Sequence, residues 1–175
     1  MAVHIVIDGY NFIRCSPELK ALDREDIQLG REALADMLAM YKKTKRHRIT
    51  VVFDGRDALP GQEVKFQKKG IRFVFSRGSR SADDVIKGIA AEEREKAVIV
   101  SSYGDVIRYC SSKGSTAVRS EVFEHTIQEA VYTKADGVED TPAAKAHTVG
   151  TKKKGPSRRL PKKARQARRK VAKLS

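Results

Sequence analysis

Two short runs constrain this chain more than any other feature. Val3 to Ile7 and Ile49 to Phe53 are rich in β-branched residues, and each ends on Asp-Gly, at Asp8-Gly9 and Asp54-Gly55. Runs of that length bounded by a turn signal read as strands buried on both faces, the kind found in parallel sheets covered by helices. Between them, Ile27, Leu34, Leu38 and Tyr41 recur at the helical period, with the apolar stem of Arg31 on the same face and Lys42, Lys43, Lys45 and Arg46 at the C-terminal end. Ser16-Pro17 reads as a loop before that helix.

The alternation continues downstream. Val64-Lys65-Phe66 and Ile71-Arg72-Phe73-Val74-Phe75 read as extended segments around Lys68-Lys69-Gly70. Ser76 to Arg80 is a loop, and Ser81-Ala82-Asp83-Asp84 opens a helix carrying Val85, Ile86, Ile89 and Ala90. Ala97 to Ser102 is another strand, a helix follows from about Gly104 to Ser112, Thr116-Ala117-Val118 is a short strand, and Ser120 caps a helix through Val131. Strands alternating with helices imply right-handed crossovers, so the expected fold is α/β, a three-layer sandwich with a mainly parallel central sheet.

Charge divides the chain. The net charge is +14, from 36 basic and 22 acidic residues, yet no Asp or Glu occurs from Thr141 onward. That stretch holds Lys152, Lys153, Lys154, Arg158, Arg159, Lys162, Lys163, Arg165, Arg168, Arg169 and Lys170, so the rest is near neutral. Apolar periodicity fades near Lys134, and the expected organisation is a folded domain over 1–133 with a flexible, disordered basic tail over 134–175. Such a tail binds nucleic acid through its phosphates, without sequence choice. Cys15 and Cys110 form no metal or disulfide pattern, and no stretch approaches the length of a membrane span, which points to a cytoplasmic protein with no membrane partner.

In a parallel sheet every strand's carboxyl end lies on one edge, where ligands bind. Asp8 and Asp54 end two strands, Asp83 and Asp84 open a helix after a third, and Asp105 follows a fourth. Taken singly these are turn and capping residues, and Ser81-x-x-Asp84 fits a capping box. Taken together they are convergent carboxylates whose repulsion a hard divalent cation, Mg2+ or Mn2+, relieves. Asn11 lies in the same crevice, with Arg77 and Arg80 at a rim suited to a backbone phosphate. No G-x-G-x-x-G, P-loop or nucleophile elbow is present, and His4, His47, His125 and His147 lack ligand spacing, so each is expected to be structural or exposed.

Asp8-Gly9-Tyr10-Asn11, Phe53-Asp54-Gly55, Ser81-Ala82-Asp83-Asp84 and Val100-Ser101-Ser102 resemble the NYN domain, a PIN-like nuclease group, and most closely its YacP-like branch, over roughly Ala2 to Val131. The resemblance implies a magnesium-dependent endoribonuclease, with metal held by Asp8, Asp83 and Asp105 and catalytic support from Asn11, Asp54 and Asp84. RNA is the implied partner, the ribosome being one source of it. The family commonly carries Ser-Asp after the strand at 97–102, and here that place reads Ser102-Tyr103. A second expectation is therefore a catalytically weak or inactive RNA-binding module, and a third is a phosphatase of small phosphoesters. Oligomeric state is not legible.

Overall fold

The structure, a computed structural model, describes residues 2–55, 65–77, 79–135 and 162–174. Its elements run β1 (His4–Asp8), α1 (Gly9–Cys15), α2 (Pro17–Glu25), α3 (Ile27–Thr44), β2 (Arg48–Phe53), β3 (Lys65–Lys68), β4 (Ile71–Phe75), α4 (Ala82–Glu93), a 3₁₀ turn at Arg94–Lys96, β5 (Ala97–Val100), α5 (Gly104–Ser112), β6 (Thr116–Val118), α6 (Ser120–Ala135) and α7 (Lys162–Val171). One six-stranded sheet has the order β3-β4-β2-β1-β5-β6. All pairings are parallel except the β3–β4 hairpin. The fold is the expected α/β sandwich.

Alternation along the strands divides the core between the faces. Ile5, Ile7, Val51, Phe53, Phe73, Phe75, Val98 and Val100 pack with residues of α1, α2, α3 and α6. Val6, Val52, Val74 and Ile99 pack with Ala82, Ile86 and Ala90 of α4 and with Val106 and Cys110 of α5. Asp8 has the parity of Val6 and so belongs to the α4–α5 face. The hairpin turns through Lys69 (φ 54°) and Gly70 (φ 75°), both left-handed, a two-residue turn whose twist matches its strands. Val64, read as extended, lies outside the described residues.

Two differences from the sequence reading have local causes. The stretch read as a loop around Ser16-Pro17 is a junction between two helices. Ser16 Oγ accepts from the Leu19 backbone amide at 3.4 Å as the N-cap of α2, and Pro17 takes the first helical turn, where its missing N–H is harmless. The second concerns the tail. Residues 136–161 lie outside the described residues, but Lys162–Val171 is helical and the residues just after it dock on the body, where a disordered tail was expected. Leu174 is buried at 1 % exposure, the Tyr41 hydroxyl donates to its carbonyl at 2.8 Å, and His47 Nε2 donates to the Lys173 carbonyl at 3.2 Å. Leu174, with Val171 packed against the same core, and two carbonyls thus anchor a segment whose composition alone promises no burial.

His47 is therefore structural. So is His4, whose ring nitrogens meet Thr50 Oγ1 at 2.8 Å and Glu93 Oε2 at 2.7 Å, while His125 is exposed. His147 lies outside the described residues.

Candidate active site

Asp8 ends β1 and caps α1 with no intervening loop. Its Oδ1 accepts from the Asn11 backbone amide at 3.3 Å, and its Oδ2 accepts from the Ser101 hydroxyl at 3.2 Å. The turn requires glycine next: a Cβ on Gly9 would stand 2.3 Å from a ring carbon of Phe53. Asp8 is 4 % exposed. Burial pushes its carboxyl up to about 6, helped by the charge of Asp83 and opposed by the Asn11 amide, Ser101 and Arg14.

Asp83 and Asp84 are adjacent, and their carboxylates have different work. Ser81 caps α4 in a reciprocal box, its hydroxyl accepting from the Asp84 amide at 3.2 Å while Asp84 Oδ2 accepts from the Ser81 amide at 2.9 Å. The Ser81 backbone and hydroxyl hold the exposed Asp84 carboxyl below its usual range. Asp83 makes no part of that box. Partial burial raises its carboxyl, as do the charges of Asp84, Asp105 and Asp54, while Lys87 opposes them. Asp8, Asp54, Asp83 and Asp105 are thus electrostatic neighbours at one sheet edge.

Asp54 follows β2, half-buried. The Gly55 amide donates to Ser76 Oγ at 2.9 Å and the Ser76 amide to the Phe53 carbonyl at 2.9 Å, so the ends of β2 and β4 close together. A Cβ on Gly55 would lie 1.9 Å from the Ser76 carbonyl oxygen, which excludes any side chain. Arg77 and Arg80 follow, both exposed, joined by a backbone turn from the Arg80 amide to the Arg77 carbonyl at 3.1 Å.

Asn11 holds the loop after β5 through its side-chain oxygen. Its side-chain oxygen accepts from the Ser102 backbone amide at 2.8 Å and the Ser120 hydroxyl at 2.7 Å, tying α1 to the loop after β5 and to the start of α6. It shapes the crevice. Beside it stands an acid that the sequence reading passed over: Ser102 Oγ donates to Glu121 Oε2 at 2.8 Å, and Glu121's own amide together with that hydroxyl holds the carboxyl low. The legible signal was its place just after β6, one more acid at the same edge.

The three-carboxylate set Asp8, Asp83 and Asp105 is not preassembled. Among the described residues no group of three or more His, Cys, Asp or Glu is arranged to hold a metal ion. Asp105 is exposed and ion-paired with Arg108 three residues on, and Tyr103, exposed beside it, carries no ligand oxygen of that kind. Asp8 and Asp83 nevertheless fit a hard cation, because magnesium is usually bound by only one or two carboxylates and keeps waters for its other positions. The like charges of a buried carboxylate and its neighbour are what such an ion relieves.

Of the basic residues expected to bind nucleic acid, Arg165, Arg168 and Arg169 are exposed on α7 and Lys170 is half-buried. Lys152, Lys153, Lys154, Arg158 and Arg159 lie outside the described residues, as do the side chains of Lys162 and Lys163. Cys15 and Cys110 are free thiols, and no described helix is long and apolar enough to cross a membrane.

Comparison with known proteins finds relatives of this chain. The chain is 30 % identical over 86 residues to the uncharacterized protein YacP of Bacillus subtilis (strain 168), a match over 49 % of this chain and 50 % of that one. The chain therefore spans about half the length of the curated relative it matches. A crystal structure of a tryptophan-to-leucine mutant of Rae1 (YacP) from Bacillus subtilis superposes with a TM-score of 0.63 at 17 % identity, covering 99 % of this chain and 92 % of that one. A second Rae1 (YacP) crystal structure from Bacillus subtilis gives 0.60 at 21 % identity over 79 % and 82 % of the two chains. These structures share the fold. The family model of the YacP-like NYN domain matches residues 5–172, through the sheet-edge acids and into α7, and the chain belongs to that family.

Proposed function

We propose that this protein is a metal-dependent endoribonuclease whose centre is Asp8 with Asp83. The observation that carries the proposal is the environment of Asp8: a carboxylate buried at the end of the central strand, fixed by Asn11 and Ser101, and raised by burial and by Asp83. A bound Mg2+ or Mn2+ would supply charge stabilisation at the phosphodiester and lower the pKa of a coordinated water. Asp8 and Asp83 would hold that ion, with Asp54 and Asp105 adding negative potential from either side. Arg77 and Arg80 fix a neighbouring backbone phosphate at the rim, and Asn11 keeps the loop after β5 in register with α1. Asp84 supports the site by fixing the first turn of α4, which presents Asp83. RNA is the substrate, and the free thiols fit a reducing cytoplasm.

The test is cleavage of single-stranded and structured RNA by purified protein in Mg2+ and in EDTA. Turnover in Mg2+ that vanishes in Asp8→Asn and in Asp83→Asn supports the assignment, and equal cleavage by parent and both variants removes it. A second reading, an RNA-binding module without turnover, is favoured by Asp105 being paired with Arg108 beside Tyr103. Activity gained by Tyr103→Asp in an inactive parent selects that reading.

A further inference from the structure

From the start of β2 and along the edge hairpin runs an open depression of 680 Å³ whose charged lining residues are all basic. Lys42 and Arg46 come from α3 and its C-terminal end, Arg48 from the start of β2, Arg72 from β4 and Lys65 from the edge strand β3. His47 also faces it, and no Asp or Glu belongs to the described lining. Arg48 and Asp54 bracket β2, about 20 Å apart at ~3.3 Å per strand residue. Arg72, however, pairs with Thr50 and Lys65 with Val74, so the depression climbs the hairpin until Lys65 is level with Asp8, with β2 and β4 lying between them.

Lysine on an edge strand has a plain use, keeping the edge from pairing with other sheets. That use needs β3 alone. Here cations from four separate elements converge, and they are treated unlike those at the tip of the same hairpin. Lys68 pairs with Glu32 at 3.4 Å and Lys69 with Asp36, so the tip is neutralised by α3. In the groove, Lys42 donates to the Gly70 carbonyl, a neutral partner that places the ammonium without cancelling it. Arg48 is the exception, ion-paired with Glu93 on its far side. Ala2, Ile49 and Phe66 share the lining with the cations, and none of the exposed large apolar residues, Leu29, Met40, Tyr103, Tyr109, Val122 and Tyr132, joins them, so an anionic lipid surface is the competing occupant that vesicle binding tests.

We propose that this groove is a second phosphate-backbone site, which holds RNA through Arg46, Lys65 and Arg72 at a distance from the acid edge. The choice of RNA among polyanions rests on the nuclease reading above. Because β2 lies between Arg72 and Asp8, and β2 and β4 lie between Lys65 and Asp8, the groove acts on substrate affinity and salt dependence and leaves the chemical step alone.

The experiment uses the full chain and a fluorescein-labelled single-stranded RNA, with anisotropy read across a salt series in EDTA so that cleavage plays no part. Neutralising Arg46→Gln, Lys65→Gln and Arg72→Gln together is expected to weaken binding at least tenfold and to flatten the log-log salt slope by about 2, at ~0.7 per phosphate contact on single strands. Lys65→Gln alone, at an exposed edge position, should take about a third of that slope change and serves if the triple variant does not fold. Cleavage at saturating RNA should match the parent's. Parental affinity and slope in the folded variants overturn the proposal, as does loss of binding to anionic phospholipid vesicles with RNA binding intact. Failure of the nuclease reading shows separately, as cleavage surviving Asp8→Asn, and leaves these binding curves to be judged alone.

Discussion

The Ser101 hydroxyl joins the ends of two adjacent strands: it donates to Asp8 Oδ2 at 3.2 Å and accepts from the Tyr103 backbone amide at 3.2 Å. One side chain thus opposes the effect of burial on the Asp8 carboxyl and holds the start of the loop after β5. Ser101→Ala removes a donor to the ionised carboxylate, so the Asp8 carboxyl should rise further above its usual range. The midpoint of Mg2+ binding against pH, followed by calorimetry, is expected to move to higher pH. An unmoved midpoint would show that the hydroxyl has no hold on Asp8.

Asp8 itself should oppose folding at neutral pH. Its carboxyl lies at about 6 in the fold against 3.8 ordinarily, so the folded protein retains a proton that the unfolded chain releases between those values. The stabilisation is full below 3.8 and is lost as pH rises through 6. Above that, the buried charge costs about 3 kcal/mol at 1.36 kcal/mol per pK unit. Asp8→Asn keeps an acceptor for the Asn11 amide and turns its NH2 toward the Ser101 oxygen, a hydroxyl that can accept as well as donate, so at pH 7.5 in EDTA it should stabilise the protein by up to about 3 kcal/mol in urea denaturation. Mg2+ should raise the midpoint of the parent and leave that of the variant alone. A variant less stable than its parent at pH 7.5 would contradict the buried-charge account.

Asn11 offers a contrast in which the fold, and through it the rate, depends on one oxygen. Asn11→Ala strips the acceptor from the Ser102 amide and the Ser120 hydroxyl, and two donors left unsatisfied in a buried place cost about 2–4 kcal/mol. Asn11→Asp restores an oxygen at the same position. It should recover most of that stability by thermal denaturation and recover part of the lost kcat, whereas a residue working through its amide nitrogen would recover neither.

The acids were legible because strand ends are legible: a β-branched run stopping at Asp-Gly fixes where Asp8 and Asp54 lie, whatever the helices do. Asp83 and Asp84 could be told apart in sequence by the Ser81-x-x-Asp84 spacing of a capping box, and the reciprocal bonds of that box separate the carboxylate bound to the cap from the one whose charge reaches Asp8. Asn11 was placed in the crevice, but its bonds to Ser102 and Ser120 were not legible, because those residues lie 91 and 109 residues away and no local pattern announces such pairings. The junction at Ser16-Pro17 was misread for the opposite reason. Ser-Pro opens helices as readily as loops, and the short apolar faces of α1 and α2 give little period to choose by.

The docking of the C-terminal segment was the least legible feature, since it depends on a buried leucine, Leu174, and on Val171 packed against the same core, in a run of basic residues. Leu174 lies in the core beside Tyr41 and His47, and the fully buried Tyr41 hydroxyl donates to the Leu174 carbonyl at 2.8 Å. Leu174→Ala removes buried methyl groups from that site, and truncations of this kind cost about 2–5 kcal/mol where the cavity cannot collapse. Tyr41→Phe keeps the ring and removes the hydrogen bond, at about 1 kcal/mol. A segment lying free would register neither change, so chemical denaturation of the two single variants and their double measures whether α7 is anchored. Coupling is expected to be positive, because once Leu174 loses its seat the Tyr41 hydroxyl loses the carbonyl that the seat positions. Strict additivity, with Leu174→Ala costing nothing, would mean that α7 is held by some other contact and that its exposed arginines are presented to RNA from a different place.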